Sequence, residues 1–264
     1  MTKIIRSREW AFPTRPVRRE VLYVAPDSDE RRPPVLFVPG FGHGAWAYAE
    51  HWLEHTAQRG YPAYAMSLRG HGESASAPKT GLRAYVHDVV QVAASLPRQA
   101  VLVGHGASAR VVAGALARYP ARAGVLVSPV LGGPRMAAEV ALRNPAGTIP
   151  ALFGGGLRPR RGQLFSKELP ASVARGYASR LTRASRRAQW QLLVAGTPEQ
   201  PVGDPPVLIV GSPDDQLVPQ SAMERAARWY HGAPLLFPGM GHDLMLDARW
   251  VEPIDAILDW LDKP

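Results

Sequence analysis

The side chains of this chain that can move protons at neutral pH are imidazoles and carboxylates. Three of them stand near the C-terminus, Asp214 and Asp215 in the stretch Gly-Ser-Pro-Asp-Asp-Gln-Leu and His242 in the stretch Gly-Met-Gly-His-Asp. The sequence of 264 residues contains no cysteine, which excludes disulfides, thiolate nucleophiles and thiolate metal ligands together. Any chemistry must therefore use oxygen or imidazole groups.

The elements that must position these residues are short apolar runs separated by longer segments of helical periodicity. This alternation predicts an α/β protein in which buried parallel strands are joined by crossover helices. Seven runs are candidate strands: residues 21–25, 35–38, 63–67, 100–104, 124–128, 207–210 and 235–237. Open sheets of this kind bind ligands beyond the carboxyl ends of their strands, so we expect the functional residues in the loops that follow these runs.

Four of these loops resemble those of a known family. After the second run comes the turn Pro-Gly-Phe-Gly-His-Gly-Ala-Trp, and after the fourth comes Gly-His-Gly-Ala-Ser, centred on Gly106. The loops of Asp215 and His242 follow the last two runs. In type and order they resemble the oxyanion loop, nucleophile elbow, acid loop and histidine loop of the α/β-hydrolase fold superfamily, in particular its esterase-like and lipase-like serine hydrolases. The resemblance covers residues 20–130 and 204–262.

The resemblance implies an α/β-hydrolase fold with a mostly parallel central sheet flanked by helices. It also implies that the backbone N–H groups of Phe41 and Ala107 form the oxyanion hole and that His242 is the base. The turn that contains Arg69 and His71 matches the family as well, and we interpret both residues as structural members of that turn.

The acid can be aligned in two ways. Counting back from Val218 and Pro219 gives Asp215, whereas counting forward from Gly211 gives Asp214. We favour Asp215 because the strand before it aligns best that way.

The chain departs from the family at the nucleophile. The elbow pattern is Gly-x-Ser-x-Gly, but Gly106 occupies the serine position and Ser108 the final glycine position. Ser108 lies two residues further on, in the expected helix, so we expect its hydroxyl to point away from the turn. Glycine cannot form an acyl-enzyme, and removing such a nucleophile lowers the turnover number on the order of a millionfold.

The function implied by the resemblance is that of a carboxylic ester hydrolase of the esterase, lipase or lactonase type, acting through a Ser-His-Asp triad without cofactor or metal. We interpret the chain as an inactivated form with Gly106 in place of the serine, because Asp215, His242 and the oxyanion loop are kept. Two alternatives stay open: a natural serine-less member that binds a small ligand, and a lyase in which His242 is the general base. No two histidines show metal-ligand spacing, and no dinucleotide fingerprint follows a strand.

A long interruption of the strand and helix alternation predicts a cap insertion at residues 130–204, with the core domain at 1–129 and 205–264. The cap contains a helix-like stretch at 170–194 and apolar side chains that suit an apolar ester: Leu131, Met136, Leu142, Ile149, Leu152, Phe153 and Leu157. Eight arginines from Arg158 to Arg187 either attract an anionic substrate or form a solvated face, and we favour the solvated face.

The net charge of +9 comes almost entirely from arginines scattered along the chain, since only four residues are lysine. We therefore expect a small-molecule substrate rather than a nucleic acid. No apolar run is long enough to span a bilayer, and the basic, proline-interrupted start lacks the apolar stretch of a signal peptide. We expect a cytoplasmic protein, and the sequence carries no signal for its oligomeric state.

Overall fold

The computed structural model describes residues 11, 13–26, 32–77, 79–147 and 159–263. Within these residues, seven strands form one sheet in the order β1-β3-β2-β4-β5-β6-β7. The strands are β1 (Val21–Val24), β2 (Val35–Val38), β3 (Ala63–Met66), β4 (Val101–His105), β5 (Ala123–Val127), β6 (Val207–Gly211) and β7 (Leu235–Leu236). Their ends agree with the seven predicted runs to within one residue.

The sheet is mostly parallel, as predicted. β1 alone among the described strands runs antiparallel to its neighbour, with Val21 opposite Met66, and the other pairs are parallel. Every residue of β2, β4 and β5 is buried because helices cover both faces of the centre of the sheet. β1 lies at the edge and its residues alternate between exposed and half-buried, so the prediction of burial on both faces was wrong for this strand.

The helices come in chain order between and after the strands. They are α1 (Trp46–Ala49), α2 (Trp52–Gln58), α3 (Leu82–Ser95), α4 (Ser108–Leu116), α5 (Pro134–Arg143), α6 (Arg161–Leu164), α7 (Ala171–Ser179), α8 (Arg186–Leu193), α9 (Gln220–Trp229) and α10 (Val251–Leu261), with a 3-10 turn at Leu244–Leu246. Apolar faces such as that of α4 pack on the sheet and complete the core.

Helices α5 to α8 occupy the interruption between β5 and β6, which pair with each other directly. The helix-like stretch predicted at 170–194 contains two helices, because residues 180–185 separate α7 from α8. Two contacts explain the break. Ser185 caps α8 by accepting a hydrogen bond from the Ala188 N–H, and the Thr182 N–H donates to the Gly42 carbonyl at 2.8 Å.

The apolar side chains expected under the cap have different positions. Met136 is buried, whereas Leu142 is 83% exposed and does not face a core. Ile149, Leu152, Phe153 and Leu157 lie outside the described residues. Among the helices that the structure describes, none combines the length and the apolar character required to cross a membrane.

Candidate active site

Gly106 forms a sharp turn between β4 and α4. Its φ of +53° lies in the left-handed region, which glycine adopts without strain. The turn is held on both sides, since the Gly106 N–H donates to the Val127 carbonyl and the Gly106 carbonyl accepts from the Val130 N–H, each at 2.9 Å. The backbone thus has the strand, sharp turn and helix of a nucleophile elbow.

Position 106 faces the imidazole of His242. A Cβ built ideally on Gly106 would lie 3.1 Å from His242 Nε2 and 4.0 Å from the Gly40 Cα. A side chain at this position would therefore contact the ring nitrogen. The 3.1 Å separation is tight, so the imidazole would have to move by a few tenths of an ångström to admit one.

The other ring nitrogen of His242 contacts Asp215. Its Nδ1 lies 2.8 Å from Asp215 Oδ2. The second carboxylate oxygen, Oδ1, accepts the backbone N–H groups of Leu217 and Val218 at 2.7 and 2.9 Å. Asp214 is exposed and accepts the Gly239 N–H instead, so the structure brings Asp215, not Asp214, to the histidine.

The surroundings of His242 favour its protonated form. Burial alone would lower its pKa, but the Coulomb attraction and hydrogen bond of Asp215, together with the charge of Asp243, raise the pKa above the ordinary histidine value. An imidazole that is held by one carboxylate and can gain a proton has the properties of a general base.

The two expected oxyanion donors lie on the same cavity as Gly106 and His242. Within the described residues, neither the Phe41 N–H nor the Ala107 N–H donates a hydrogen bond to another group. Both are therefore available to a ligand oxygen.

Ser108 does not lie on this cavity. Its side chain is fully buried, and its hydroxyl donates to the Pro39 carbonyl at 2.6 Å. This bond ties the start of α4 to the glycine-rich loop. As expected from the sequence, the hydroxyl points away from the apex of the turn.

Sequence analysis missed a buried cluster beneath the site, formed by His43, His105 and Asp243. His43 Nε2 lies 3.0 Å from Asp243 Oδ2, and His105 Nε2 lies 3.4 Å from Oδ1. Burial lowers the pKa of His105 to about 3. Burial opposes ionisation of Asp243, but attraction first by His43 and then by His105 and His242 lowers its pKa overall.

The cluster joins three loops of the predicted site. His43 belongs to the glycine-rich loop, His105 directly precedes Gly106, and Asp243 directly follows His242. These neighbouring positions are the only signal in the sequence from which the cluster could have been predicted. The three donor groups lie within 4.8 Å of one another, which is also a donor set that a divalent metal ion can use. The spacing of histidines along the chain does not indicate this set, because its members come together only in the fold.

Arg69 and His71 have the contacts of structural residues. The Arg69 guanidinium makes a two-pronged ion pair with buried Asp88, with Nε 2.6 Å from Oδ2 and Nη2 2.5 Å from Oδ1. His71 Nδ1 lies 3.3 Å from the Arg69 carbonyl, and burial lowers the pKa of His71. These contacts fit the interpretation made from the sequence.

The cavity at the site has a volume of about 480 Å³. Its floor contains Gly106, His242 and the glycine-rich loop. The segment between β5 and β6 provides most of the rest, with apolar side chains from α5, α6 and α8: Met136, Ala137, Val140, Leu164, Leu192 and Leu193. A cavity of this size and character suits a small, largely apolar molecule.

Comparison with solved structures finds the same fold. A soluble variant of the monoglyceride lipase from Saccharomyces cerevisiae, in complex with a substrate analog, has a TM-score of 0.75 and 14% identity over 95% of this chain and 93% of that chain. The monoacylglycerol lipase from Paleococcus ferrophilus has a TM-score of 0.69 and 20% identity over 94% and 98%. At such identities the likeness is evidence for the fold alone.

A third similar structure is the N-acyl homoserine lactonase AidH, solved as a serine-to-glycine mutant with N-hexanoyl homoserine lactone, with a TM-score of 0.69 and 18% identity over 92% of each chain. No curated protein matched the sequence. The model of the alpha/beta hydrolase family matches residues 35–255. This match spans most of the chain and includes every loop of the site, and the chain therefore belongs to the alpha/beta hydrolase family.

Proposed function

We propose that this chain is a carboxylic ester hydrolase of the esterase, lipase or lactonase type, in an inactive or strongly impaired form. Gly106 stands where the nucleophilic serine of a Ser-His-Asp triad would be, with Asp215 as the acid and His242 as the base. The substrate is a small, largely apolar ester, and the proposed reaction requires no cofactor.

The observation that carries the proposal is that position 106 faces the imidazole of His242. The elbow backbone has a positive φ, and a Cβ at Gly106 would point at Nε2 while Nδ1 is held by Asp215. With serine there, His242 would take the hydroxyl proton as the oxygen attacks the ester carbonyl, and later return it to the leaving alcohol. The N–H groups of Phe41 and Ala107 would stabilise the oxyanion.

The chain with glycine keeps what binds a substrate and loses what attacks it. The free N–H groups and the apolar cavity remain, so an ester or its acid product should bind at Gly106 without rapid turnover. In AidH a serine-to-glycine mutant holds an N-acyl homoserine lactone, which supports binding by such a form. We further propose that residues 130–204 form the cap domain, because described residues of this segment line the cavity together with Gly106.

One observation favours a second function. His242 lines the cavity, and the space beside its Nε2 holds no protein side chain from position 106. A water or an acidic C–H group of a ligand can occupy that space, so His242 can act as a general base without a serine. This would give slow ester hydrolysis, about 10³ to 10⁴ over the uncatalysed rate, or lyase activity.

The test is Gly106→Ser, with Gly106→Ala as the matched control. Both variants place a Cβ against His242, but only serine adds the hydroxyl. We expect Gly106→Ser to hydrolyse p-nitrophenyl butyrate at least a thousandfold faster than either the glycine chain or Gly106→Ala. Loss of such a serine costs on the order of a millionfold, and the smaller figure allows for imperfect placement of the new hydroxyl. Calorimetry should show that the glycine chain binds the same ester with an affinity close to the serine variant's KM.

Equal activity of the glycine chain and Gly106→Ser would refute the triad, because the chemistry would then bypass position 106. Tight binding of an unrelated small molecule, with no ester bound and no activity in Gly106→Ser, would show a ligand-binding protein instead.

A further inference from the structure

A second cavity, of about 400 Å³, adjoins the first at the loop between α7 and α8. Arg183 and Arg186 line both cavities. The second cavity also receives Lys79 and Arg187, and its wall includes the turn of Arg69. The loop between α7 and α8 and the first residue of α8 therefore each place an arginine on the walls of both cavities.

The charges around this junction are all positive. Of the described residues that line either cavity, none is an aspartate or a glutamate. Arg69 is neutralised by Asp88. In contrast, Lys79, Arg183, Arg186 and Arg187 pair with no carboxylate in the part of the chain that the structure describes. Concave surfaces lined by one sign of charge concentrate ions of the opposite sign.

The arginine loop is anchored beside the site. Both the N–H and the hydroxyl of Thr182 donate to the Gly42 carbonyl, at 2.8 and 3.2 Å, and Gly42 adjoins the oxyanion donor Phe41. At the other end, the Ser185 hydroxyl donates to the Thr80 carbonyl at 2.5 Å. The backbone on either side of Arg183 is therefore anchored close to the oxyanion hole, while the side chains of Arg183 and Arg186 are exposed.

In the cavity beside Gly106, Arg183 and Arg186 are the only charged side chains among the described lining residues other than histidine. The rest of its wall is largely apolar. An apolar chamber with two exposed arginines among its lining residues matches a molecule with a hydrocarbon body and an anionic end. Guanidinium groups bind carboxylate and phosphate oxygens through paired hydrogen bonds.

We propose that Arg183 and Arg186 form an anion-binding subsite and that the ester bound at Gly106 carries a carboxylate or phosphate group at the end remote from its ester bond. This assignment of the substrate class rests on the proposed ester hydrolase function. It replaces the solvated face favoured from the sequence with a binding role for these two arginines.

The first experiment needs no catalysis. The glycine chain is titrated calorimetrically with sodium phosphate and with suberate, and the double variant Arg183→Gln/Arg186→Gln is titrated in the same way. The control is Arg175→Gln, an exposed arginine of α7 that lines neither cavity. We expect one anion to bind per chain. In the double variant the affinity should be about tenfold weaker or more, because charge-assisted hydrogen bonds at a partly solvated site are lost. The preferred anion identifies phosphate or carboxylate as the end group.

The second experiment uses the Gly106→Ser background. Mono-p-nitrophenyl esters of glutarate, suberate and sebacate are compared with the esters of monocarboxylic acids of the same chain length. We expect the double variant to lower the kcat/KM ratio of anionic to neutral ester about tenfold at the length that reaches the arginines. The Arg175→Gln control should leave the ratio unchanged.

The two experiments distinguish failure of the anion subsite from failure of the proposed function. If Gly106→Ser hydrolyses no ester, the proposed function fails, and the titrations alone decide the anion subsite. If phosphate and suberate bind the double variant and the glycine chain equally, or if the kcat/KM ratio of anionic to neutral ester does not change, the subsite is refuted while the hydrolase proposal stands.

Discussion

Replacement of Asp215 by asparagine in the Gly106→Ser background should abolish most of the activity, because it should move the ring proton of His242 to the wrong nitrogen. Asp215 Oδ1 accepts two backbone N–H groups, from Leu217 and Val218, and Oδ2 faces His242 Nδ1 at 2.8 Å. In the asparagine variant the amide oxygen must stay with the two N–H donors. The NH₂ group then faces Nδ1 and donates to it, which leaves the ring proton on Nε2, where it cannot accept the serine proton.

The expected loss in kcat is roughly ten-thousandfold, the size known for acid-to-amide changes in other serine triads. This corresponds to about 5 kcal/mol of transition-state stabilisation at 1.36 kcal/mol per factor of ten. The assay is p-nitrophenyl butyrate hydrolysis at saturating substrate, with thermal unfolding measured to show that the variant is folded. Asp214→Asn is the matched control, because exposed Asp214 contacts only the Gly239 N–H across the loops. A larger loss in Asp214→Asn, or less than a tenfold loss in Asp215→Asn, would refute this reasoning.

Two further predictions use the same Gly106→Ser enzyme. A general base must be neutral to accept a proton, and the surroundings of His242 raise its pKa, so the activity should rise with pH through a midpoint above 6.5. Asp243→Asn should move that midpoint down, because the charge of Asp243 contributes to the raised pKa. A midpoint below 6.5 in the parent enzyme would contradict this prediction. Ser108→Ala should lower the free energy of unfolding by about 1–3 kcal/mol, since the buried Pro39 carbonyl would lose the hydrogen bond from the Ser108 hydroxyl. It should change kcat less than tenfold, and complete loss of activity in a folded variant would make Ser108 the nucleophile.

The sequence predicted the parts of the molecule that depend on local pattern. The buried strands are continuous apolar runs with turn residues at their ends, so their bounds agreed to within one residue. The loops of Gly106, Asp215 and His242 follow such strands, and the fold brings them to one edge of the sheet. The choice of Asp215 over Asp214 rested on one residue of register, and the structure places Asp215 against His242.

What the sequence could not predict depends on contacts between distant segments. His43 and Asp243 are 200 residues apart, and no periodicity links them. The break between α7 and α8 depends on the bond of Thr182 to Gly42, which lies 140 residues earlier. The helical periodicity of the sequence continues through that break. The position of Arg183 on both cavities could therefore not be predicted from the sequence.

The carboxylate of Asp243 has a consequence for how this site can change. It accepts from His43 on the oxyanion loop, lies against His105 at the elbow, and is joined through the backbone to His242. Substitutions in these three loops are therefore thermodynamically coupled, and their effects will not add. Gly106 takes no part in this network, since it contributes no side chain. A side chain introduced at position 106 would nevertheless act on the network through His242, because its Cβ would lie 3.1 Å from Nε2.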